Sequence, residues 1–566
     1  MYILGLSSYY HDSAAALIKN GKVICAAEEE RFTRVKHDNS FPINAINFCL
    51  KYADINISQI NKMAYYEKPL LKFERILETF VETYPKSFLT FIKGIPEWLD
   101  YKIKVEKTIK QKTGYKGKIY YIPHHLSHAS VAFLASPFKR AAILTIDGVG
   151  DCPTTQLWIG EGTKITPLKV INFPHSLGLL YSTFTSFLGF KVNNDEYKVM
   201  GLAAYGRPRY VDRIRKTIDL KEDGSFSLNL KYFSFRESFK MWSSKFEEEF
   251  GKPRSFDGKI TKRDKDLAAS VQQVTEEVYF KILNYLYRIT KVKNLCIGGG
   301  VALNSLANGK IYQNTPFVKI HIFGSAGDSG AALGSALYTY HAMFGNKKRE
   351  RIKDLYVGGS YNDIEIEDEL IKASVKYKKY KTYDKLLKKV ASELKKNKII
   401  GWFNGRMELG PRALGARSIL ANPKNRYMKD KVNKIKRREE FRPFAGSVLQ
   451  DKVSELFEVP EKNHYSPFMN FCFKVKKDKQ YLISAIVHED KTCRIQTVNK
   501  DNGLYYELIK EFYRLTGISC ILNTSFNLNK EPIVENPKQA IEDFIETEID
   551  YLILGNYVVR KPNHKE

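Results

Sequence analysis

Two stretches of this chain, far apart in sequence, read the same way. "YILGLSS" and "SAAALIKNGKVICAAEE", from Tyr2 onward, give a strand ending in a small polar turn, then two runs joined at Asn20-Gly21. Asn-Gly between alternating runs is a strong hairpin signal, because both residues tolerate the positive φ that a tight turn requires. "AAILTIDGVGDCPTTQLWIGEGTKITPLKVI" repeats that order from Ala141, with its turn at Glu161-Gly162. A strand-and-hairpin start used twice restricts the fold more than any single composition figure.

The segments after the second copy extend the pattern. Residues 265–290 have helical apolar spacing and lead into "NLCIGGG", a short strand, and a helix from Asn304. "KIHIFGSAGDSGAALGSALYTYH" again gives strand, glycine-rich turn and helix. Two lobes that each open with a hairpin and close with glycine turns at strand ends describe an α/β, actin-like nucleotide fold over residues 1–345. In such sheets ligands sit beyond the carboxyl ends of strands, where turn and helix-start N–H groups meet phosphates. A charged, lysine-rich connector is expected at 346–395. A second α/β unit is expected from "KIIGWFNGRMELGPRALGARSIL" to 566. At 566 residues the chain is too long for one ordinary core.

Composition narrows the class. The 91 basic and 63 acidic residues leave a charge of +28, which attracts polyanions or phosphorylated small molecules at long range. Much of that excess lies in lysine-rich stretches that read as solvated surface, and nucleic acid is not the expected partner. The longest apolar runs fall far short of the roughly 20 residues that cross a bilayer. The first residues have no basic lead and no uninterrupted apolar run, so no signal peptide is expected. Seven scattered cysteines without a CxxC fit reduced thiols and a cytoplasmic protein.

"YIPHHLSHAS" puts three of 11 histidines into five positions. His124 and His128 are four apart, which on a helix stacks both rings on one face. Asp147 ends the strand "AILTID" just before glycine, and Asp328 sits in "GSAGDSG" at the end of "KIHIF". Two imidazoles and two carboxylates form a candidate site for a divalent transition metal, with zinc, iron, nickel and manganese all open. Helix N-capping is the alternative for each aspartate, above all for Asp328 in "DSGAAL". Gly298, Gly299, Gly300 and Asn304 in "IGGGVALNS" either admit a nucleotide or make a tight turn. Lys198 in "EYKVMGLAAYG" either reaches a phosphate or lies on the surface. The C-terminal half sets Arg412, Lys436, Arg442 and Arg494 among turn residues, and ends a strand in Asn523 and Ser525. Arginine forks bind phosphate.

Together "SSYYHDSAAALI", "HHLSHA", "TIDGVGD", "DEYKVMGLAAYG", "GGGVALN", "GDSGAALGSA", "GRMELGPRALGARSIL", "REEFRPFA" and "NTSFN" resemble the O-carbamoyltransferases of antibiotic and nodulation-factor biosynthesis, collinearly over nearly the whole chain. That resemblance implies an actin-like first domain, similar to the tRNA threonylcarbamoyl-transferases. His124, His128, Asp147 and Asp328 would hold a metal there, iron in the family, and His11 would deprotonate an acceptor hydroxyl. The C-terminal domain would form carbamoyl adenylate from carbamoyl phosphate and ATP with magnesium. Arg412, Lys436, Arg442, Arg494, Asn523 and Ser525 would bind those substrates, and Lys36 would reach the nucleotide. "NTSFNLNKEPIV" departs from the family by carrying Lys530 in place of glycine. Threonylcarbamoyl-type transfer to tRNA and a non-catalytic basic scaffold for nucleic acid or glycan are the alternatives; the acceptor is a hydroxyl-bearing sugar or natural product.

Overall fold

The computed structural model describes residues 1–561, which form two compact units: residues 1–29 with 39–352, and 30–38 with the described residues from 353 onward. The first unit holds two five-stranded sheets of identical topology. One is built from β1 (Tyr2–Ser7), β2 (Ala14–Lys19), β3 (Lys22–Glu28), β4 (Lys62–Tyr65) and β5 (Ile119–Tyr121) in the order β3-β2-β1-β4-β5. The first three are antiparallel, and β4 and β5 continue in parallel. Asn20 and Gly21 both have positive φ (51° and 83°), as the turn between β2 and β3 demands.

The other sheet contains β6 (Arg140–Ile146), β7 (Pro153–Glu161), β8 (Lys164–Asn172), β11 (Asn294–Gly298) and β12 (Lys319–Ile322), in the order β8-β7-β6-β11-β12. Strands β9 (Ile218–Leu220) and β10 (Phe226–Leu228) form a separate two-stranded ribbon. Again the first three strands are antiparallel and the last two parallel. Repetition of this order in one unit is the actin-like architecture that the two hairpins predict. Apolar runs in β1 and β6 are buried almost throughout, as expected for central strands covered on both faces.

Helices fix the site between these strands. Lys262–Thr290 starts at a capping box of Thr261 and Asp264 and buries Leu267, Val271, Val274, Val278, Ile282 and Leu286 at three- and four-residue spacing. The helices His124–Leu134 and Asp328–Tyr338 are almost wholly buried and pack on each other. They meet backbone to backbone: a Cβ on Gly334 would lie 2.0 Å from the Ser127 carbonyl oxygen.

The second unit is a nine-stranded mixed sheet of β13 (Tyr377–Lys379), β14 (Ile400–Phe403), β15 (Arg417–Ala421), β16 (Ala445–Leu449), β17 (Phe471–Lys474), β18 (Thr492–Val498), β19 (Cys520–Ser525), β20 (Tyr551–Leu554) and β21 (Tyr557–Arg560). Its order is β13-β21-β20-β14-β15-β19-β16-β18-β17. The stretch expected as a connector, 346–395, contains β13 and the helices Asp363–Lys372 and Tyr383–Lys395, and from residue 353 it is part of this unit. Residues 30–38 belong here too, although their position in sequence assigns them to the first domain. All seven cysteines are free, and no helix among the described residues is long and apolar enough to cross a membrane.

Candidate functional site

His124 and His128 project from one side of the helix His124–Leu134, whose N-cap is Pro123. Its first N–H, that of His124, donates to the Asp151 carboxylate at 2.8 Å, and the same carboxylate accepts from the Lys68 N–H at 2.8 Å. Asp151 therefore ties the start of the histidine helix to the chain after β4. Sequence reading missed it, because Asp151 lies past the strand end that singles out Asp147.

Both histidines point Nε2 at the two predicted aspartates. Their Nε2 atoms stand 3.1 Å apart. His128 Nε2 lies 3.1 Å from Asp147 Oδ2 and 3.3 Å from Asp328 Oδ1; the His124 distances are 3.6 and 3.7 Å. All four residues are buried. Donors at about 2.1 Å from one ion at tetrahedral angles stand about 3.4 Å apart, so these separations fit four ligands around one cation. The buried Nδ1 atoms of both histidines and Oδ2 of Asp328 have no hydrogen-bond partner in the protein.

The electrostatics agree with that fit. Burial alone pushes His128 down, yet hydrogen bonds that its ring donates to the Asp147 and Asp328 carboxylates outweigh it and lift His128 to about 9. Burial raises both carboxyls, but the histidines hold Asp147 well below the usual range, and His11 with His124 holds Asp328 low. The pocket favours positive charge between its carboxylates, supplied by a proton or by a metal ion.

The neighbouring residues have resolved roles. Asp328 opens its helix without capping it; the cap position is Gly327. Gly299 has φ +93°, and a Cβ there would lie 2.2 Å from the Ile146 carbonyl oxygen. Gly300 N–H donates to Asp147 Oδ2 at 3.2 Å. The Gly298–Gly300 run thus lets the backbone wrap the end of β6 and hold Asp147, and Asn304 caps the helix Ser305–Asn314. Lys198 pairs with Asp195 at 3.2 Å. His125, the third histidine of the cluster, is a core residue whose Nδ1 bonds the Thr145 hydroxyl at 2.8 Å, and burial drives it down to about 3.

His11 lies at the edge of the cluster. Its Nδ1 bonds Asp12 at 3.0 Å and its Nε2 faces Asp328 at 3.9 Å. Burial lowers its pKa, but Asp328 and Asp12 together raise it to about 10. Tyr10 beside it is half-buried, and desolvation of its hydroxyl followed by the Asp147 and Asp328 charges drives it far up. Lys72 sits over the Tyr10 ring and pairs with Glu67 at 2.7 Å.

A second constellation lies in the second unit. Lys436 is buried, with Nζ donating to the Ser525 carbonyl, the Asn527 carbonyl (2.8 Å) and Asn527 Oδ1 (2.9 Å). Burial first, then Arg438 and Arg442, with a contribution from Lys36, pull its pKa well below the usual lysine value. Lys36 thus stands with this group. Arg494, on β18, is lowered by burial and by Arg442, and its Nε is buried without a partner. Asn523 donates to the Ala413 carbonyl at 3.2 Å and to Ser447 Oγ at 3.0 Å, which places it against the loop that carries Arg412. Ser525 Oγ donates to Asn527 at 2.6 Å. Cations crowded enough to depress one another, with an unsatisfied guanidinium nitrogen, suit a polyanion. Arg438 and Asp543 were not singled out from sequence. Arg438 stood within a quoted motif, whereas Asp543 carried no signal at all.

Comparison with known proteins converges on one family. A carbamoyltransferase N-terminus model matches residues 2–337, and a carbamoyltransferase C-terminus model matches 391–561. An uncharacterized protein of Synechocystis sp., sll1178, is 44% identical over 99% of this chain and 97% of its own length. Nodulation protein NolNO of Sinorhizobium fredii is 38% identical over 98% of this chain and 80% of its own. Nodulation protein NolO of Bradyrhizobium diazoefficiens is 37% identical over 77% and 78%. On the matches to both halves and on the relatives at this identity, the chain belongs to the carbamoyltransferase family.

Proposed function

We propose that this carbamoyltransferase is an ATP-dependent O-carbamoyltransferase that works through carbamoyl adenylate. The observation that most supports this reading is the presence in one chain of two buried, oppositely built clusters: histidines with aspartates in the first unit, and crowded cations in the second. In the second unit, water would cleave carbamoyl phosphate to carbamate and inorganic phosphate. A carbamate oxygen would then bond the α-phosphorus of ATP, bound with magnesium, and pyrophosphate would leave. Lys436, Arg442, Arg494 and Arg412 would offset the charge of two phosphorylated substrates, with Lys36, Asn523 and Ser525 orienting them.

In the first unit an acceptor hydroxyl oxygen would bond the carbamoyl carbon, and AMP would leave. His124, His128, Asp147 and Asp328 would hold a divalent transition metal, iron by family resemblance, which would supply a Lewis acid for the carbamoyl or phosphate oxygens. His11 Nε2 faces the cluster, and Asp12 on its Nδ1 fixes the ring. With Asp328 uncompensated His11 holds its proton at neutral pH; as a base it needs that carboxylate's charge met by a cation. Such an acceptor would be a sugar or a natural product bearing a hydroxyl. Incubation with ¹⁴C-carbamoyl phosphate, ATP and a panel of alcohols tests the reading. Label should pass to an alcohol with one AMP released per transfer, whereas transfer without ATP would overturn the adenylate step.

A further inference from the structure

Of the three α-helices that the chain forms between β4 and β5, the third is Val105–Thr113 and the first two, Pro69–Thr83 and Phe88–Glu97, make a hairpin. They close on each other through Phe80 and Phe91, stacked at 3.9 Å, and through Phe73 against Trp98. On the outside of this hairpin Val81, Tyr84, Phe88, Leu89 and Ile92 are exposed, Val81 and Leu89 each at 72%. Spacing of three and four residues keeps such side chains on one stripe, here the stripe facing away from the core. The loop carrying Phe239, also 72% exposed, is fastened to the same place. Arg236 pairs with Glu82, Lys86 reaches Glu237 at 3.6 Å, and the Thr90 hydroxyl donates to the Glu237 carbonyl at 3.0 Å. Scattered exposed apolar residues need no explanation, but six gathered at one tip do.

Charge identifies what covers them. From Pro69, where the hairpin begins, to Lys118 the sequence holds ten lysines and one arginine against six acidic residues. Lys86, Lys93, Lys104, Lys107 and Lys110 are exposed. A second copy of the chain would bring like charges together around the apolar tip, which disfavours self-association. An anionic bilayer offers both complements, negative headgroups for the lysines and an apolar boundary for the side chains. We propose that this helical hairpin docks on an anionic membrane surface, with Phe88, Leu89 and Ile92 entering the boundary between headgroups and acyl chains. The mode is interfacial, since neither helix is long enough to span.

Co-sedimentation of the full chain with vesicles tests this. Binding is expected to vesicles of phosphatidylglycerol with phosphatidylcholine, and to be weak on phosphatidylcholine alone. High salt should remove the electrostatic part and leave a residual bound fraction. Combining Phe88→Ser, Leu89→Ser and Ile92→Ser keeps the charge constant and should lower partitioning at least about tenfold. The melting temperature should stay unchanged, because these side chains lie outside the core. Lys86→Gln with Lys93→Gln should weaken binding and flatten its salt dependence. Wild-type-like binding by the serine variant would reduce the effect to net charge and overturn the proposal. Absence of binding would also overturn it, as would light scattering that shows a dimer dissociated by the serine substitutions.

Discussion

Two buried imidazoles whose Nε2 atoms face each other at 3.1 Å bring lone pairs together unless a proton or a metal ion lies between them. His128 and Asp328 are both almost wholly buried. Either His128→Ala or Asp328→Asn should lower metal affinity at least about tenfold, read as metal retained after dialysis. Retention equal to wild type would mean that the cluster is a structural ion-pair network. Asp543, in the second unit, makes a different prediction. Burial raises its carboxyl to about 7, above an unfolded value near 4. The folded state therefore binds more protons in that interval, and stability falls as pH rises from about 4 to 7. Asp543→Asn removes this dependence, so its melting temperature at pH 8 should exceed wild type by a few degrees, on the order of 1–2 kcal/mol. A steeper loss above pH 7 in the variant would contradict the assignment. Of these residues the sequence exposed the four cluster members through spacing and strand ends. The same spacing set His125 apart from the pair, but what its ring meets, the Thr145 hydroxyl, is visible only in the fold.

At the level of elements, the site depends on how closely two helices approach. Gly334 allows the helices His124–Leu134 and Asp328–Tyr338 to touch, and they carry three of the four cluster residues. Gly334→Ala should push them apart, costing about 1–3 kcal/mol and lowering metal affinity in parallel. Calorimetry and metal titration check this, and a stability loss with unchanged metal affinity would show that the helix contact does not set the ligand geometry. Both hairpins were readable from Asn20-Gly21 and Glu161-Gly162, since turn chemistry is local. The glycine run at 298–300 was ambiguous in sequence. A positive φ and a carbonyl 2.2 Å away become visible only when β6 is laid beside it.

For the whole molecule, the duplicated sheet order was legible because each copy repeats the same element sequence. The division into units was only partly so: residues 30–38 sit in the first domain by sequence and in the second unit by contact. The lysine-rich stretch 346–395 read as a connector because its charge masks the buried Leu386, Leu387, Val390 and Leu394 of the helix Tyr383–Lys395. If the second unit performs activation and the first performs transfer, substitutions in each should break different partial reactions. Carbamoyl-phosphate-dependent exchange of labelled pyrophosphate into ATP separates them. Wild type should catalyse it, Arg494→Ala should reduce it about 100-fold, and His128→Ala should keep it within a few-fold. No exchange in the wild-type protein, or equal loss in both variants, would contradict the account.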